Sequence, residues 1–278
     1  MGTALVIEND PSDPLGRLGD WFAEAELPLT VLRPHAGDQL PADLGEHLAL
    51  VVLGGDQSAY PGPTGEPGAR WFPALEGLLR KAVRNRVPTL GVCLGAQLLA
   101  TAHGGLVERS TSGPEIGPAL VGRRDAADND PLFKRVPLLP DVIQWHSDEI
   151  TELPLNAVLL AASTRYPHQA FRLGDRAWGV QFHIECDAEM IAAWAGHDTA
   201  VLAELGYDPE AVVAATVEIL PDVEEAWQPV VARFAALALG TLPDADMPVP
   251  GTGFSAPSGG PGAGSGPAPG RTLPLLGQ

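Results

Sequence analysis

One of the two cysteines of the chain lies between glycines, in the segment Gly91-Val92-Cys93-Leu94-Gly95, after an apolar run and before a helix-forming run. A tight strand-to-helix turn strains the backbone of its middle residue, and flanking glycines avoid the Cβ clashes that such a turn creates. Cys93 would then lie at a helix N-terminus, where the macrodipole and free backbone N–H groups favour thiolate over thiol. The segment predicts a cysteine nucleophile, although a small cysteine packed in a core fits the same pattern in a glycine-rich chain.

A histidine and a glutamate follow a second apolar run, in the segment WGVQFHIE at residues 178–185. In an extended chain, residues two apart share a face, so the Glu185 carboxylate can reach the His183 imidazole. This pair would supply the base, and the group that orients it, for nucleophilic catalysis by a cysteine. Taken alone, His183 is more typical of a buried core histidine, and Glu185 is more typical of a solvated strand end. With Cys93 at the end of another strand, the pattern predicts a catalytic triad of Cys93, His183 and Glu185.

The first part of the chain alternates short apolar runs with segments of helical periodicity. The predicted strands cover 4–7, 29–32, 48–53 and 89–92, and the predicted helices cover 15–26, 69–86 and 94–103. Strands that are apolar throughout and separated by helices predict an α/β fold, with a doubly wound, mostly parallel sheet and helices on both faces. Open sheets of this kind place their ligands at the carboxyl ends of the strands, where Cys93 is expected.

The later part of the chain changes character twice. Strands are predicted over 106–108, 119–122, 142–145, 157–161, 169–172 and 177–182, and helical segments over 187–205, 209–220 and 222–239. After residue 240 the chain is rich in glycine and proline and has almost no large apolar side chains, so it cannot bury enough surface to offset the entropy of ordering. The predicted organisation is a catalytic domain at 1–185, a helical extension at 186–240 and a disordered Gly/Pro-rich tail at 241–278.

The charge of the chain disfavours two classes of partner. Its 278 residues carry a formal net charge of −18, which repels nucleic acid and anionic membranes. No run approaches the ~20 apolar residues of a membrane span, and the apolar run at 3–7 is too short for a signal peptide. Two cysteines cannot form a disulfide framework, and Cys93 and Cys186 lack the spacing of metal ligands. These features predict a cytoplasmic protein with no nucleic-acid partner, no membrane partner and no metal.

The two motifs together resemble those of the class I (triad) glutamine amidotransferases. That family joins a GxCxG turn, usually continued as GxQ, to an FHPE strand end; this chain has GVCLGAQ at 91–97 and FHIE at 182–185. The resemblance covers 3–185 and is closest to stand-alone members similar to the GMP synthetase glutaminase domain. The usual proline of the second motif is Ile184 here. Isoleucine keeps an extended backbone available, so the triad is still expected to form.

Three further segments match the family, and two of them imply roles for other residues; the third is EIG at 115–117, which resembles an E-[IF]-G segment of the family. The segment VLGG at 52–55 resembles the loop that completes an oxyanion hole, which implies that the N–H groups of Gly55 and Leu94 stabilise the oxyanion. The segment WHSD at 145–148 resembles the loop that holds the substrate glutamine. No metal or organic cofactor is implied. The substrate-binding residues expected from the resemblance are Gln97, Ser147 and Asp148.

The resemblance implies hydrolysis of the side-chain amide of L-glutamine through a Cys93 thioester, with ammonia released for an acceptor. The sequence shows no second catalytic domain and no phosphate-binding GxxxxGK[ST] loop, so a separate synthetase or acceptor enzyme would dock over Cys93. The alternative is a stand-alone hydrolase or peptidase for γ-glutamyl compounds, active without a partner. A non-enzymatic binding protein is disfavoured by the intact triad residues. A cysteine hydrolase of another family with the same layered fold is disfavoured by the FHIE strand end.

Overall fold

The computed structural model describes residues 2–243 and residue 246. Its strands are β1 (Ala4–Ile7), β2 (Leu29–Leu32), β3 (Ala49–Val52), β4 (Thr89–Val92), β5 (Leu106–Arg109), β6 (Glu115–Leu120), β7 (Gly122–Arg123), β8 (Asp141–His146), β9 (Asp148–Glu152), β10 (Ala157–Ala162), β11 (Ala170–Leu173) and β12 (Ala177–Val180). Its α-helices are α1 (Arg17–Glu24), α2 (Phe72–Arg84), α3 (Leu94–Thr101), α4 (Ala188–His197), α5 (Thr199–Glu204), α6 (Pro209–Glu218) and α7 (Leu220–Leu239). Apart from 241–243 and 246, the tail predicted at 241–278 lies outside the described residues.

Eight of the strands form one sheet, in the order β2-β1-β3-β4-β12-β11-β10-β7. The first five strands in this order, β2, β1, β3, β4 and β12, are parallel to one another. The remaining three, β11, β10 and β7, continue the sheet in antiparallel pairs. β4 lies between β3 and β12, with Gly91 opposite Val52 on one side and Gly179 on the other. This register brings Cys93, after β4, and His183, after β12, to the same edge of the sheet.

Helices cover the sheet on both faces. Leu18 and Phe22 of α1 and Phe234 of α7 belong to the buried cluster on one face. Leu79 of α2 and Leu98 of α3 belong to the buried cluster on the other. The predicted doubly wound, mostly parallel α/β fold is therefore confirmed. Among the helices that the structure describes, none combines the length and the apolar character that a bilayer crossing requires.

The helices after residue 186 pack on the same core as the sheet. Ile191 of α4 and Trp227 of α7 belong to the buried cluster that also holds Trp178 of β12. The Trp227 ring packs against Phe182, with centroids 4.8 Å apart. The segment predicted as a helical extension, 186–240, is helical through most of its length and supports the strand end that carries the FHIE motif.

Three observed elements differ from the predicted ones. The strand predicted over 119–122 is instead parts of two strands, β6 and β7, which belong to different sheets. β9 was not expected, because its sequence, DEITE at 148–152, contains no continuous apolar run and buries only Ile150. The helix predicted over 187–205 is instead two helices, α4 and α5, which meet at Asp198. The Oδ2 atom of Asp198 accepts a hydrogen bond from Trp145 Nε1 at 2.7 Å. The break at Asp198 allows α5 to border the cavity beside Cys93.

Candidate active site

Cys93 occupies a strained turn between β4 and α3. Its backbone has φ 51° and ψ −111°, a conformation that side-chain-bearing residues rarely adopt, at a cost of about 1–3 kcal/mol. Its N–H donates to the Val180 carbonyl at 2.8 Å, which ties the turn to β12. A Cβ on Gly91 would lie 2.5 Å from the Gly95 carbonyl oxygen, and a Cβ on Gly95 would overlap that of Val52. The two glycines therefore permit the turn that holds the thiol at the carboxyl edge of the sheet.

His183 and Glu185 follow the neighbouring strand β12. The backbone of His183 exchanges two hydrogen bonds with Ile143 of β8, with N···O distances of 2.8 and 3.3 Å. The Nδ1 atom of His183 lies 2.6 Å from Glu185 Oε1, and Glu185 Oε2 accepts the Ile184 N–H at 2.9 Å. Both side chains are buried. A proline in place of Ile184 would lack that N–H, so isoleucine adds a hydrogen bond that orients the carboxylate.

The surroundings of the imidazole favour its protonated form. Burial disfavours the charge, but the Glu185 carboxylate and the Cys93 thiolate outweigh burial and raise the pKa of His183 well above its ordinary value. Because Nδ1 is bonded to Glu185, Nε2 is the nitrogen left to exchange a proton with a thiol or a leaving group. The Trp194 ring covers the imidazole, with centroids 4.7 Å apart. The structure thus brings together the three residues predicted as a triad.

One group in the described part of the chain has the composition of a metal site. The ligand atoms of His183, Glu185 and Cys186 all lie within 4.8 Å of one another. Burial and the Glu185 carboxylate raise the pKa of the Cys186 thiol far above its ordinary value, which disfavours the thiolate that a metal requires. The hydrogen bond between His183 and Glu185 already occupies the atoms that face each other. The group therefore fits a buried hydrogen-bonded cluster better than a metal centre.

Two cavities meet at Cys93. Cavity A has a volume of about 410 Å³ and is bordered by α3, β5, α5, the loop after β3 and the loop after β8. Cavity B has a volume of about 330 Å³ and is bordered by the loop after β1, by α4 and by His183. Besides Cys93, both cavities are bordered by Gly55, Asp56, Trp145, His197 and Asp198.

Gln97 is buried in the wall of cavity A. Its Nε2 atom lies 3.2 Å from Gln181 Oε1 and 3.4 Å from the Asp148 carbonyl oxygen. Gln181 directs its own Nε2 atom to the Cys93 sulfur, at 3.7 Å. An exposed position on α3, which is the ordinary expectation for a polar helix residue, is therefore wrong for Gln97. Its side chain instead links the neighbourhood of the thiol to the loop after β8.

Ser147 and Asp148, the predicted substrate loop, border cavity A between β8 and β9. The Oδ1 atom of Asp148 accepts a hydrogen bond from the Tyr60 hydroxyl at 3.2 Å. The Asp148 carbonyl oxygen lies 3.1 Å from Nδ1 of His146, which is buried beneath the loop. The loop is therefore fixed from both sides before any substrate binds.

Both ring nitrogens of His146 are held by hydrogen-bond partners beneath the loop. Nε2 lies 2.7 Å from Gln144 Oε1, and Nδ1 faces the Asp148 carbonyl, so both ring nitrogens face acceptors. The orientation of Gln144 is fixed, because its Nε2 donates to Gln169 Oε1 (3.0 Å) and Gln169 donates to Glu115 Oε2 (2.7 Å). Burial opposes the charge of Glu115, but the hydrogen bond and charge of His146, 3.5 Å away, hold the pKa of Glu115 below its ordinary value. This network supports the substrate loop from below.

The residues predicted to form an oxyanion hole lie side by side. A Cβ on Gly55 would lie 3.1 Å from Leu94 Cδ2. Leu94 is the first residue of α3, so its N–H is one of those that have no partner within the helix. Gly55 borders both cavities together with Cys93. The position of both residues agrees with an oxyanion hole, and their role as donors stays a prediction.

The acidic residues of cavity B were not predicted from the sequence. Asp13 borders this cavity with His183 and is only 5% exposed. The Ser12 hydroxyl lies 2.8 Å from both Asp13 Oδ2 and Asp10 Oδ1, and its single proton serves only one of them. In the described part of the chain, Asp13 Oδ1 has no hydrogen-bond partner. Asp10 and Asp13 follow β1, and the rule that parallel strands end at one edge of the sheet is the signal that identifies them.

We expect Asp13→Asn to stabilise the fold at neutral pH. Burial raises the pKa of Asp13 from 3.8 to about 6, against the opposing charge of His183. A carboxyl group whose pKa is higher in the folded than in the unfolded state destabilises the native state once it ionises. The destabilisation is absent below the unfolded pKa, grows between about pH 4 and pH 6, and is complete above the folded pKa. A rise of about two pKa units corresponds to at most about 3 kcal/mol. Urea unfolding at neutral pH and near the unfolded pKa measures this difference.

The matched control is Asp125→Asn, which removes an exposed carboxylate outside both cavities. This variant should change the free energy of unfolding little at either pH. A gain for Asp13→Asn that is equally large in acid would contradict the assignment, because both side chains are then uncharged.

Comparisons with known proteins agree with this geometry. A family model described as glutamine amidotransferase class-I matches residues 43–190. Gamma-glutamyl peptidase 4 of Arabidopsis thaliana is 29% identical over 151 residues, which are 54% of this chain and 58% of that one. A GMP synthase (glutamine-hydrolyzing) of Thermosipho africanus is 39% identical over 138 residues, 49% of this chain and 24% of that one. This chain therefore spans little more than half of the first relative and about a quarter of the second.

A solved structure extends the similarity beyond the family model. The crystal structure of a glutamine amido transferase from Methylobacillus flagellatus superimposes with a TM-score of 0.72 at 30% sequence identity. The match covers 87% of this chain and 96% of that chain. The similarity therefore includes most of the helices after residue 186 as well as the sheet.

Proposed function

Because the chain belongs to the class I glutamine amidotransferase family, we propose that it hydrolyses a γ-glutamyl amide bond through a covalent bond to Cys93, with L-glutamine as the simplest substrate. One observation carries the proposal: the ends of two adjacent parallel strands hold Cys93 in a strained turn and the buried His183–Glu185 pair at the same edge. This arrangement supplies a nucleophile, a base and an orienting carboxylate, as a Cys-His-Glu triad requires.

In the proposed reaction, the Cys93 thiolate attacks the side-chain amide carbon. The C–S bond forms first and gives a tetrahedral oxyanion. The C–N bond then breaks as the His183 imidazolium gives its Nε2 proton to the departing ammonia. Glu185 holds the imidazole in the correct tautomer and stabilises its charged form. Water then attacks the thioester, passes a proton to His183 and releases glutamate. Backbone hydrogen bonds hold Cys93 to β12 and His183 to β8, and these are the two residues that exchange protons in the reaction.

The walls of cavity A support the remaining roles. The N–H groups of Gly55 and Leu94 stabilise the tetrahedral oxyanion in this proposal, and the loss of one such donor typically costs about 10²–10³ in rate. The amino-acid end of the substrate then occupies cavity A. There it contacts the predicted binding residues, which are Gln97, Ser147 and Asp148.

Hydrolysis of larger γ-glutamyl compounds is the second candidate function. Cavity B, on the imidazole side of Cys93, has a volume of about 330 Å³, far more than a leaving ammonia occupies. The similarity to a γ-glutamyl peptidase supports the same interpretation. In this version the chain acts alone, whereas an ammonia-delivering glutaminase requires a separate synthetase or acceptor enzyme at the mouth of the site. Both versions use the same triad.

We propose the cytoplasm as the location of the protein, because both buried cysteines are free thiols.

The experiment that tests the proposal is glutamate release by the purified chain alone. L-glutamine and γ-glutamylglycine are the substrates, and L-asparagine, which is shorter by one methylene group, is the control. We expect glutamate from at least one γ-glutamyl substrate and no turnover of asparagine. Faster release from γ-glutamylglycine than from glutamine favours the stand-alone hydrolase. No glutamate from either substrate would contradict an active triad in the isolated chain.

A further inference from the structure

Cavity B lies on the side of Cys93 to which the leaving group must depart. His183 borders cavity B and does not border cavity A. The imidazole has to lie next to the leaving nitrogen in order to protonate it, so any substituent on that nitrogen extends into cavity B. On the basis of the proposed γ-glutamyl chemistry, we propose that cavity B binds the amine portion of the substrate and that this amine carries a second, positively charged group, as in γ-glutamyl conjugates of diamines and polyamines.

Among the residues that the structure describes, the titratable side chains that border cavity B are carboxylates and histidines, with no lysine or arginine. Asp13 is the deepest of the carboxylates, and its unpartnered Oδ1 atom belongs to a side chain that is 95% removed from solvent. Besides His183, the one titratable base is His197, which is exposed at the rim. The acidic residues of the wall are Asp10, Asp13, Asp56 and Asp198.

These carboxylates crowd one another in the absence of a cation. Burial and the charges of Asp10 and Asp198 raise the pKa of Asp56, and the opposing charge of His197 does not cancel that effect. Burial likewise raises the pKa of Asp13 to about 6. A bound ammonium group would relieve this repulsion, and partly desolvated carboxylates bind cations more strongly than exposed ones. The wall is therefore complementary to a cation, and repels a carboxylate on the leaving group.

The spacing of the acids favours an organic cation over a metal ion. In the described part of the chain, no three of these carboxylates have oxygens within 4.8 Å of one another. The one group of potential ligands that lies so close together is His183, Glu185 and Cys186. A single metal ion needs several ligands that converge on one point. Carboxylates spread along a cavity wall suit a longer ligand that has its charge at a distance from the reacting amide.

Two tryptophans supply the apolar part of the wall. The rings of Trp145 and Trp194 lie with centroids 5.6 Å apart, and both border cavity B. Their indole N–H groups are already used, by Asp198 Oδ2 at 2.7 Å and by the Ser12 carbonyl at 2.9 Å. Trp194 is 6% exposed and packs on the His183 ring, so the half-buried Trp145 ring is the aromatic surface left for methylene groups and for a cation–π contact with an ammonium group.

The reaction balances without a further reagent. The Cys93–S–C bond forms, the amide C–N bond then breaks, and the His183 proton goes to the nitrogen of the leaving diamine. Water then hydrolyses the thioester to glutamate and returns the triad to its starting state. The diamine leaves with its distal ammonium still charged.

The test compares two substrates of nearly equal shape, γ-glutamyl-putrescine and the neutral γ-glutamyl-butylamide, with the full chain. We expect kcat/KM to be at least about ten-fold higher for the cationic substrate, and the ratio to fall as salt is added. Asp13→Asn should lower this ratio several-fold, and Asp125→Asn, which changes an exposed carboxylate outside the cavities, should not. An equal or higher kcat/KM for the neutral substrate would overturn the inference.

Binding to Cys93→Ala, measured by calorimetry with the same two compounds, separates this inference from the proposed reaction. Suppose that Cys93→Ala binds γ-glutamyl-putrescine more tightly than γ-glutamyl-butylamide, and that the wild type turns over neither compound. This result would support the charge preference and contradict the proposed reaction. Turnover of both substrates with no preference in kinetics or binding would overturn the charge preference and leave the reaction standing.

Discussion

Cys93→Ser should lower glutamate release from the best γ-glutamyl substrate by at least about 10⁴-fold, mostly in kcat. The serine hydroxyl has nearly the same size and keeps the backbone of the turn, but it does not ionise beside the His183 imidazolium as a thiol does. The cavities and the substrate loop stay intact, so KM should change little. The measurement is steady-state glutamate release by the two proteins at matched concentration.

The chain provides a matched control, because it has only one other cysteine. Cys186 is fully buried and borders neither cavity, and burial raises the pKa of its thiol far above the ordinary value. Cys186→Ala should keep turnover within about ten-fold of the wild type, because it removes a thiol that hydrogen-bonds the His183 ring but leaves the nucleophile and the Glu185 partner in place. A Cys93→Ser protein that is as active as the wild type would remove Cys93 from the mechanism.

Glu185→Gln should lower kcat by about 10³–10⁴-fold. The two carboxylate oxygens accept hydrogen bonds from His183 Nδ1–H and from the Ile184 N–H, and a glutamine side chain has only one oxygen for these two donors. If the amide oxygen keeps the Ile184 N–H, the amide NH₂ group faces Nδ1 and forces the proton onto Nε2. The imidazole then has the wrong tautomer to accept a proton from the thiol, and it loses the charge that raises its pKa.

The control for this variant is Glu189→Gln, which makes the same substitution at an exposed position in the first turn of α4. It should leave kcat within a factor of about two, because surface substitutions away from a site have small effects. The tautomer is read from the ring nitrogen resonances of His183 by NMR. Full activity of Glu185→Gln with the Nδ1–H tautomer retained would contradict the orienting role of the carboxylate.

The part of this site that was predictable from the sequence is the part that local backbone chemistry determines. Glycines on both sides of Cys93 indicated a turn that other residues would obstruct, and the contacts of Gly91 and Gly95 give the reason. The spacing of two between His183 and Glu185 indicated a shared face, and their side chains are 2.6 Å apart. Alternation of apolar runs and helices was sufficient for the parallel sheet, because both faces of such a sheet are buried.

The part that was not predictable depends on contacts between distant segments. Asp13 lies in a loop rich in polar residues and proline, and nothing in that loop shows that α4 will cover it. Gly16 has φ 50°, and a Cβ there would overlap the Glu185 carbonyl oxygen, a contact between residues far apart in the sequence. Asp198, where the helix breaks and α5 begins to border cavity A, accepts a hydrogen bond from Trp145, which is far away in the sequence. Periodicity cannot reveal such contacts, since it reports only on neighbours along the chain.

The most direct test of the central claim, that Cys93 is a nucleophile aimed at a γ-glutamyl carbonyl, is covalent labelling with a diazoketone analogue of L-glutamine. We expect one label per chain by intact mass, and peptide mapping should place it on Cys93. Excess L-glutamine should protect the chain, and the buried Cys186 should carry no label. Label on Cys186, labelling that L-glutamine does not slow, or a wild-type chain as inert as Cys93→Ser would contradict that claim.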